Sequence, residues 1–245
     1  MYSTSWYKRI FRPMGIELKR FDFGLDAWAD LSELFRRKQA RVVFDIGANF
    51  GQTSRQMAAI LPKAKILAFE PNPNVFQELQ RNIANLRQVQ AFQLAFGADQ
   101  TRINLNLCNS PLNSSILRYS REDGADRIVQ NVEVAMDTVD HFCVEHCIES
   151  IDLLKTDVQG YDLKVLQGAG KLLETGRIRA AFCEVNFHKL YDGQCSFEEI
   201  YAYLKSYGFC LSGFYDAVRE NTYHLHWVDA LFVQPEYFGK RSPHK

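Results

Sequence analysis

The stretch 42-VVFDIGANFGQTSRQMAAILPKAKILAFE-70 decides the reading of the whole chain. A short apolar run, Val42-Val43-Phe44, reaches an acid at Asp45 and then a small-residue turn, Gly47-Ala48-Asn49-Phe50-Gly51. Met57, Ala58 and Leu61 follow at helical spacing, and a second apolar run, Ile66 to Phe69, ends at Glu70. In a strand–helix–strand unit this pattern sets a glycine turn and two carboxylates at the strand ends where open α/β sheets bind ligands. The segment reads as half of a nucleotide or nucleoside site.

Working outward, Leu25, Trp28, Leu31, Leu34 and Phe35 recur at helical spacing, so residues 25–37 read as an amphipathic helix laid across the sheet. Residues 1–40 are expected to form a helical extension packed on a domain spanning 41–240. After Glu70, prolines 71 and 73 punctuate the chain, and Phe76, Leu79, Ile83 and Leu86 mark a second helix. Val89 to Phe96 reads as a third strand. Ile103, Leu105 and Leu107, then Val132 and Val134, alternate with polar residues and predict two half-solvated strands. Between them lies 109-NSPLNSSILRYSREDGADR-127, an insertion whose length suits a lid or a segment touching substrate.

A helix from Thr138 to His146 leads into an apolar strand, Ile151 to Lys155, ending at Thr156-Asp157. Leu163, Leu166, Ala169 and Leu173 predict a helix, Arg179 to Val185 a strand ending near Glu184, and Ser196-Phe197-Glu198-Glu199 a capping box. Two late strands, Phe209 to Phe214 and Ala230 to Val233, close the chain around a polar, His-rich stretch, 215–229. Alternating strands and helices predict a mostly parallel sheet with helices on both faces, and the late pair, joined without a helix, an antiparallel edge.

The composition excludes several classes. Of 245 residues, 47% are apolar and 24% charged, values of an ordinary globular domain large enough for a substantial core. Lys plus Arg and Asp plus Glu number 29 each, so no charge excess favours nucleic acid or an anionic membrane. No run of 18 apolar residues occurs, and the expected location is the cytoplasm. The aromatic, basic start, MYSTSWYKRIFRPMG, is too short for firm membrane anchoring and reads as a packed helix. Six scattered cysteines form no CxxC pair and suit a reducing compartment. Cys143 and Cys147 beside His141 and His146 lack the second half of a zinc pattern, so no metal is assigned.

The turn at 45–51 also sorts cofactors. A dinucleotide fingerprint needs G-x-G-x-x-G, whereas the glycines here stand at 47 and 51, and no G-x-x-x-x-G-K-[ST] occurs. A phosphate-free nucleoside carrying an amino acid fits better, and S-adenosylmethionine is such a molecule. Asp45 is placed to serve its methionyl end, directly or through water, and Glu70 to accept both ribose hydroxyls. Asp157 and Glu184 end later strands on the same rim, with Lys155 and His188 near them, as candidates to take a proton from a substrate hydroxyl, bind an ion or orient a sugar.

These residues resemble the FkbM-type S-adenosylmethionine-dependent methyltransferases from about Val42 to Val233. The resemblance rests on VVFDIGANFGQTS (42–54), AFEPNPNVFQEL (68–79), NSS (113–115), LLKTDVQGYDLKVLQGA (153–169) and AFCEVN (181–186). It implies the class I methyltransferase fold, a Rossmann-like seven-stranded sheet, and methyl transfer to a hydroxyl, often of a sugar or natural product. By position it implies Asp45, Gly47, Asn49 and Gly51 at the methionyl part, Glu70 at the ribose, Ala95 and Phe96 beside the adenine, and Ser114 and Ser115 by cofactor or acceptor. Asp157 would face the transferred methyl, as first choice of base ahead of Glu184 and His188.

The pattern common in that family, D-V-E-G-A-E, reads here Asp157-Val158-Gln159-Gly160-Tyr161-Asp162, which removes a carboxylate at 159 and puts a bulky ring at 161, where it is expected to reshape the acceptor pocket. A rival expectation is a catalytically idle cofactor-binding fold whose insertion and N-terminus serve a partner.

Overall fold

The structure, a computed structural model, describes residues 23–109, 114–118, 128–219 and 223–239. The first 22 residues, with their basic aromatic cluster, and most of the 109–127 insertion lie outside that range. The helix expected at 25–37 is α1, Ala27–Arg37. It starts where Asp26 accepts the Ala29 N–H at 2.8 Å and ends on Arg36 and Arg37, charges that suit the carbonyl end of the helix dipole.

The quoted stretch folds as β1 (Val42–Ile46), α2 (Gln52–Ile60) and β2 (Lys65–Phe69), with β1 and β2 parallel. α3 (Pro73–Ile83) then leads to β3 (Val89–Phe92), again parallel to β2. Both helices start at glycine- or asparagine-capped turns, and proline at the head of α3 occupies a position whose N–H needs no helical partner.

The expected strand from Val89 to Phe96 is two strands. β4 (Ala95–Phe96) leaves the main sheet and joins β5 (Thr101–Cys108) and β6 (Ile128–Asp137) in a three-stranded sheet ordered β4-β6-β5. An apolar run has the same appearance whether it stays in one sheet or crosses to another. Phe96 is thereby freed to pack edge-on against Phe69, with ring centroids 4.7 Å apart.

After α4 (Val139–Glu145) the chain returns to the centre as β7 (Ile151–Thr156), parallel to β1 on the side away from β2. The expected helix over 163–173 is broken into α5 (Asp162–Gln167) and α6 (Gly170–Glu174). A Cβ on Gly168 would stand 2.0 Å from the Gly97 carbonyl oxygen, so the chain passes too close there for any larger residue. β8 (Ile178–Asn186), α7 (Phe197–Ser206), β9 (Cys210–Arg219), β10 (Leu225–Val233) and the short α8 (Pro235–Phe238) complete the chain. The expected capping box heads α7: Ser196 accepts the Glu199 N–H, and Glu199 accepts the Ser196 N–H at 2.8 Å.

The main sheet is seven-stranded, ordered β3-β2-β1-β7-β8-β10-β9. Five strands are parallel, and β10 runs against both of its neighbours, one place in from the edge. Both late strands extend further into the 215–229 stretch than expected, since strand residues with mixed polar and apolar character give only a weak pattern. On one face, α1 and α2 bury Leu31, Phe35, Met57 and Leu61 against Val43, Ile66 and Leu153. On the other, α4 to α7 cover Phe44, Leu67, Leu154 and Cys183, with Phe142 edge-on to Phe44 and Phe69 at 5.8 and 5.0 Å. The chain leaves β1 toward β2 and returns on β7, so the strand order reverses between β1 and β7. That switch point is where such sheets open a crevice at the carboxyl ends of the strands.

Candidate active site

Asp45 and Lys155 are partners in the β1–β7 register and point to the same face at the switch point. The Asp45 carboxylate is fully buried; Ser54 Oγ donates to its Oδ2 at 2.5 Å, and Lys155 Nζ stands 3.2 Å from its Oδ1. The same ammonium donates to the Gly47 carbonyl at 3.1 Å and to Asp157 Oδ2 at 3.4 Å. Burial opposes the charge on Lys155, but the carboxylates of Asp45 and Asp157 outweigh it and raise its pKa. One cation thus ties the tip of β1 to the tip of β7.

The turn after β1 is shaped by close approach. Gly47 has φ +77°, and a Cβ there would lie 1.9 Å from the Asp157 carbonyl oxygen. Asn49, at φ +49°, directs its N–H to Glu70 Oε2 at 3.0 Å, while Asn72 N–H meets Oε1 at 2.8 Å. Glu70 is buried at the tip of β2, and that burial, only partly offset by the two N–H groups and Lys155, pushes its pKa up to about 7.

Further along the rim, Glu184 of β8 sits opposite Asp229 of β10. Two carboxylates facing each other in a buried sheet cannot both ionise readily. Burial, then Asp157 and Asp162, holds Glu184 well above the carboxylate range, and burial with Asp157 pushes Asp229 up to about 7. Asp162, fully buried at the head of α5, is likewise raised to about 7 by burial, with the Thr156 hydroxyl opposing. Asp157 differs from these neighbours in access: its side chain is 36% exposed.

Above this rim opens a cavity of about 420 Å³, within the usual range for small-molecule sites. It follows the strand tips from Glu70 of β2, past Gly47 and Asn49, to Asp157, Glu184 and Trp227 of β10. Leu94, Ala95 and Phe96 give it an apolar wall, and Gln52 and Thr53 bring the first turn of α2 to it. The wall, the buried carboxylate at β2 and the glycine cradle together suit an apolar base, a diol and an amino-acid tail.

A model of the methyltransferase FkbM domain matches residues 45–211. The chain belongs to the FkbM methyltransferase family. It is therefore an S-adenosylmethionine-dependent methyltransferase. It is 29% identical over 182 residues to 2-O-methyltransferase NoeI of Sinorhizobium fredii, covering 68% of this chain and 72% of that protein. It is 24% identical over 136 residues to hexuronic acid methyltransferase AglP of Haloferax volcanii, covering 55% of this chain and 52% of the relative. Among solved structures, the METTL16 methyltransferase domain superposes with a TM-score of 0.50 at 13% identity, covering 84% of this chain and 66% of the other, a likeness of fold alone.

Within this FkbM fold, Gly47, Asn49, Glu70, Ala95, Phe96, Ser114, Ser115, Asp157 and Glu184 all line the cavity. Three sequence candidates do not. Asp45 is committed to Ser54 and Lys155 beneath the turn, because the tip of a central strand is covered on both faces. Gly51, at φ +86°, caps α2 with its α-carbon turned toward Leu79 and Ile83 of α3, where a Cβ would come within 2.8 Å of Leu79. His188 lies beyond the end of β8, its ring 5.5 Å from that of His226 and 6.0 Å from that of His224. Proximity in sequence to Glu184 did not carry it to the cavity, since the chain has already left the sheet.

Tyr161 is not in the pocket either. It packs on Gly97 and the cluster of Ala95, Leu105 and Met136 beneath the second sheet. Gln159 is the substitution that reaches the cavity. Trp227 and Asp229 escaped the sequence reading because the 215–229 stretch carries too little alternation to show a strand. Cys143 is buried and Cys147 exposed, both as free thiols. Asp137, His141 and Glu145 cluster closely enough to hold an ion, but they lie outside the cavity and His141 Nδ1 is 3.0 Å from both Asp137 oxygens.

Proposed function

We propose that the chain transfers a methyl group to a hydroxyl of a sugar or natural-product acceptor, with Asp157 as general base. The observation that carries this reading is the position of Asp157, an accessible carboxylate at the sheet's switch point, among neighbours whose burial favours their protonated forms. The printed activities of NoeI, a 2-O-methyltransferase, and AglP, a hexuronic acid methyltransferase, support the acceptor class. The same reading takes residues 41–240 as the catalytic domain and 1–40 as an extension to it.

In this reading Glu70 accepts the ribose hydroxyls, Leu94, Ala95 and Phe96 pack the adenine, and Gly47, Asn49 and the first turn of α2 hold the methionyl group. Ser114 and Ser115 close over the same space. Bound S-adenosylmethionine supplies an electrophilic sulfonium methyl. Trp227 and Glu184 orient the acceptor, and much of the rate comes from holding its oxygen in line. Asp157 takes the hydroxyl proton as the new O–C bond forms and the S–C bond breaks. Lys155 fixes the carboxylate from beneath.

Asp157→Asn is expected to cut turnover by roughly 10²-fold or more while leaving S-adenosylmethionine affinity within about twofold. The assay follows release of S-adenosylhomocysteine with a panel of hydroxylated sugars and natural products. Wild-type turnover in that variant removes Asp157 as base, and no product with any hydroxylated acceptor removes the O-methyl reading.

A further inference from the structure

We infer that Gln159 is a positioning residue for Asp157: locked by Tyr191, its amide N–H is aimed at the carboxylate and weights it toward its proton-accepting form. The inference rests on the reading of Asp157 as base.

Carboxylates only accept hydrogen bonds, so of the two ends of the Gln159 amide the nitrogen must face Asp157. It does so with Nε2 3.4 Å from Oδ1, while Tyr191 Oη donates to Gln159 Oε1 at 2.6 Å. The carboxylate therefore sets which way the amide points, and the tyrosine hydroxyl, donating to the amide oxygen, holds it in place. Tyr191 is itself buried in a loop pinned by Gln194, whose Oε1 accepts the Leu190 and Tyr191 N–H groups at 2.7 and 2.9 Å. The loop is fastened to the Gln159 turn by the Cys195 N–H on the Gly160 carbonyl at 3.0 Å. Ser115 Oγ donates to the Gln159 carbonyl at 3.3 Å from a third segment.

The backbone at this position is also unusual. Gln159 has φ +55°, a left-handed conformation uncommon outside glycine, and it is followed by Gly160 at φ +85°. That turn swings the side chain into the cavity beside Asp157.

The electrostatics give the amide its purpose. Asp157 is faced by Lys155 from the end of β7, Asp45 of β1 across that lysine, Glu70 from β2, Glu184 from β8, Asp229 from β10 and Asp162 at the head of α5. Lys155 is the one cation among these groups, and it is already shared with Asp45. A neutral donor at 159 adds stabilisation on the free oxygen, Oδ1, where Lys155 serves Oδ2. A carboxyl in its place would put a further acid in direct contact with the base.

The test compares Gln159→Glu, Gln159→Ala and Tyr191→Phe with wild type by two readouts: kcat against pH, and a ¹³C carboxyl titration of Asp157 in the protein without cofactor. For Gln159→Glu, the acidic limb and the Asp157 midpoint are expected to move up by about one unit or more, roughly tenfold in kcat below the limb, with the profiles converging at high pH. Gln159→Ala and Tyr191→Phe should shift both in the same direction by less. A rate loss equal at every pH, or an unmoved Asp157 midpoint in all three variants, overturns the proposal. An active Asp157→Asn enzyme sinks the base assignment alone, because the carboxyl titration still reports what Gln159 does.

Discussion

In the proposed reading, Glu70 is a single side chain that would couple cofactor binding to pH. It is buried with one backbone N–H on each oxygen, and burial lifts its pKa to about 7, so near neutrality it is partly protonated. A diol donating two hydrogen bonds prefers the ionised form, so binding should release a proton. S-adenosylmethionine affinity is therefore expected to rise as pH increases from about 6 to 8 and then level off. Calorimetry in buffers of differing ionisation heat would detect the released proton. In Glu70→Gln the rise should vanish and binding weaken by roughly 1–3 kcal/mol, because an amide nitrogen would meet one of the two N–H donors. A wild-type affinity that is flat across this range would take Glu70 out of the diol site.

At the scale of elements, legibility followed the physics of each signal. β1, α2 and β2 announced themselves because central parallel strands are apolar on both faces and the turn between them requires a left-handed residue at Gly47. The α7 start was legible from Ser196 and Glu199, since a reciprocal cap is a local pattern. Ser196→Ala is expected to cost about 1 kcal/mol, lowering Tm by roughly 2–4 °C for a chain of this size without altering cofactor affinity. Calorimetric melting checks this, and an unchanged Tm would mean that the cap contributes nothing. What stayed hidden were events set by distant neighbours. The break between α5 and α6 comes from Gly97 passing under Gly168, and the departure of β4 from the main sheet depends on a partner strand forty residues on. Asp45 illustrates the same limit at the site: its position at a strand tip was readable, but its capture by Ser54 and Lys155 was not.

Taken as a whole, the molecule concentrates its ionisable groups along one rim and accepts a penalty in stability for it. Glu70, Asp162 and Asp229 are raised to about 7, and Glu184 is raised well above its ordinary range, all chiefly by burial. Between about pH 4, where unfolded carboxyls ionise, and pH 7, the folded chain holds more protons than the unfolded one. The contribution of these groups to stability is full below that window and is lost as pH climbs through it. Lys155 acts in the same sense, since its raised pKa also makes the folded chain hold the extra proton, but only in alkaline solution, where the unfolded lysine would lose its proton first. The cofactor-free protein is thus expected to melt at a lower temperature at pH 7.5 than at pH 5, as far as the rim decides it. Asp229→Asn isolates that share: it keeps the shape but removes one titrating group from the pair with Glu184. Its Tm should fall less steeply across the same interval, so that the variant gains on wild type as pH rises. If instead the two melting curves ran parallel from pH 5 to 7.5, Asp229 would be ionised in the folded state throughout, and the rim could not be the set of protonated neighbours among which Asp157 is proposed to act as base.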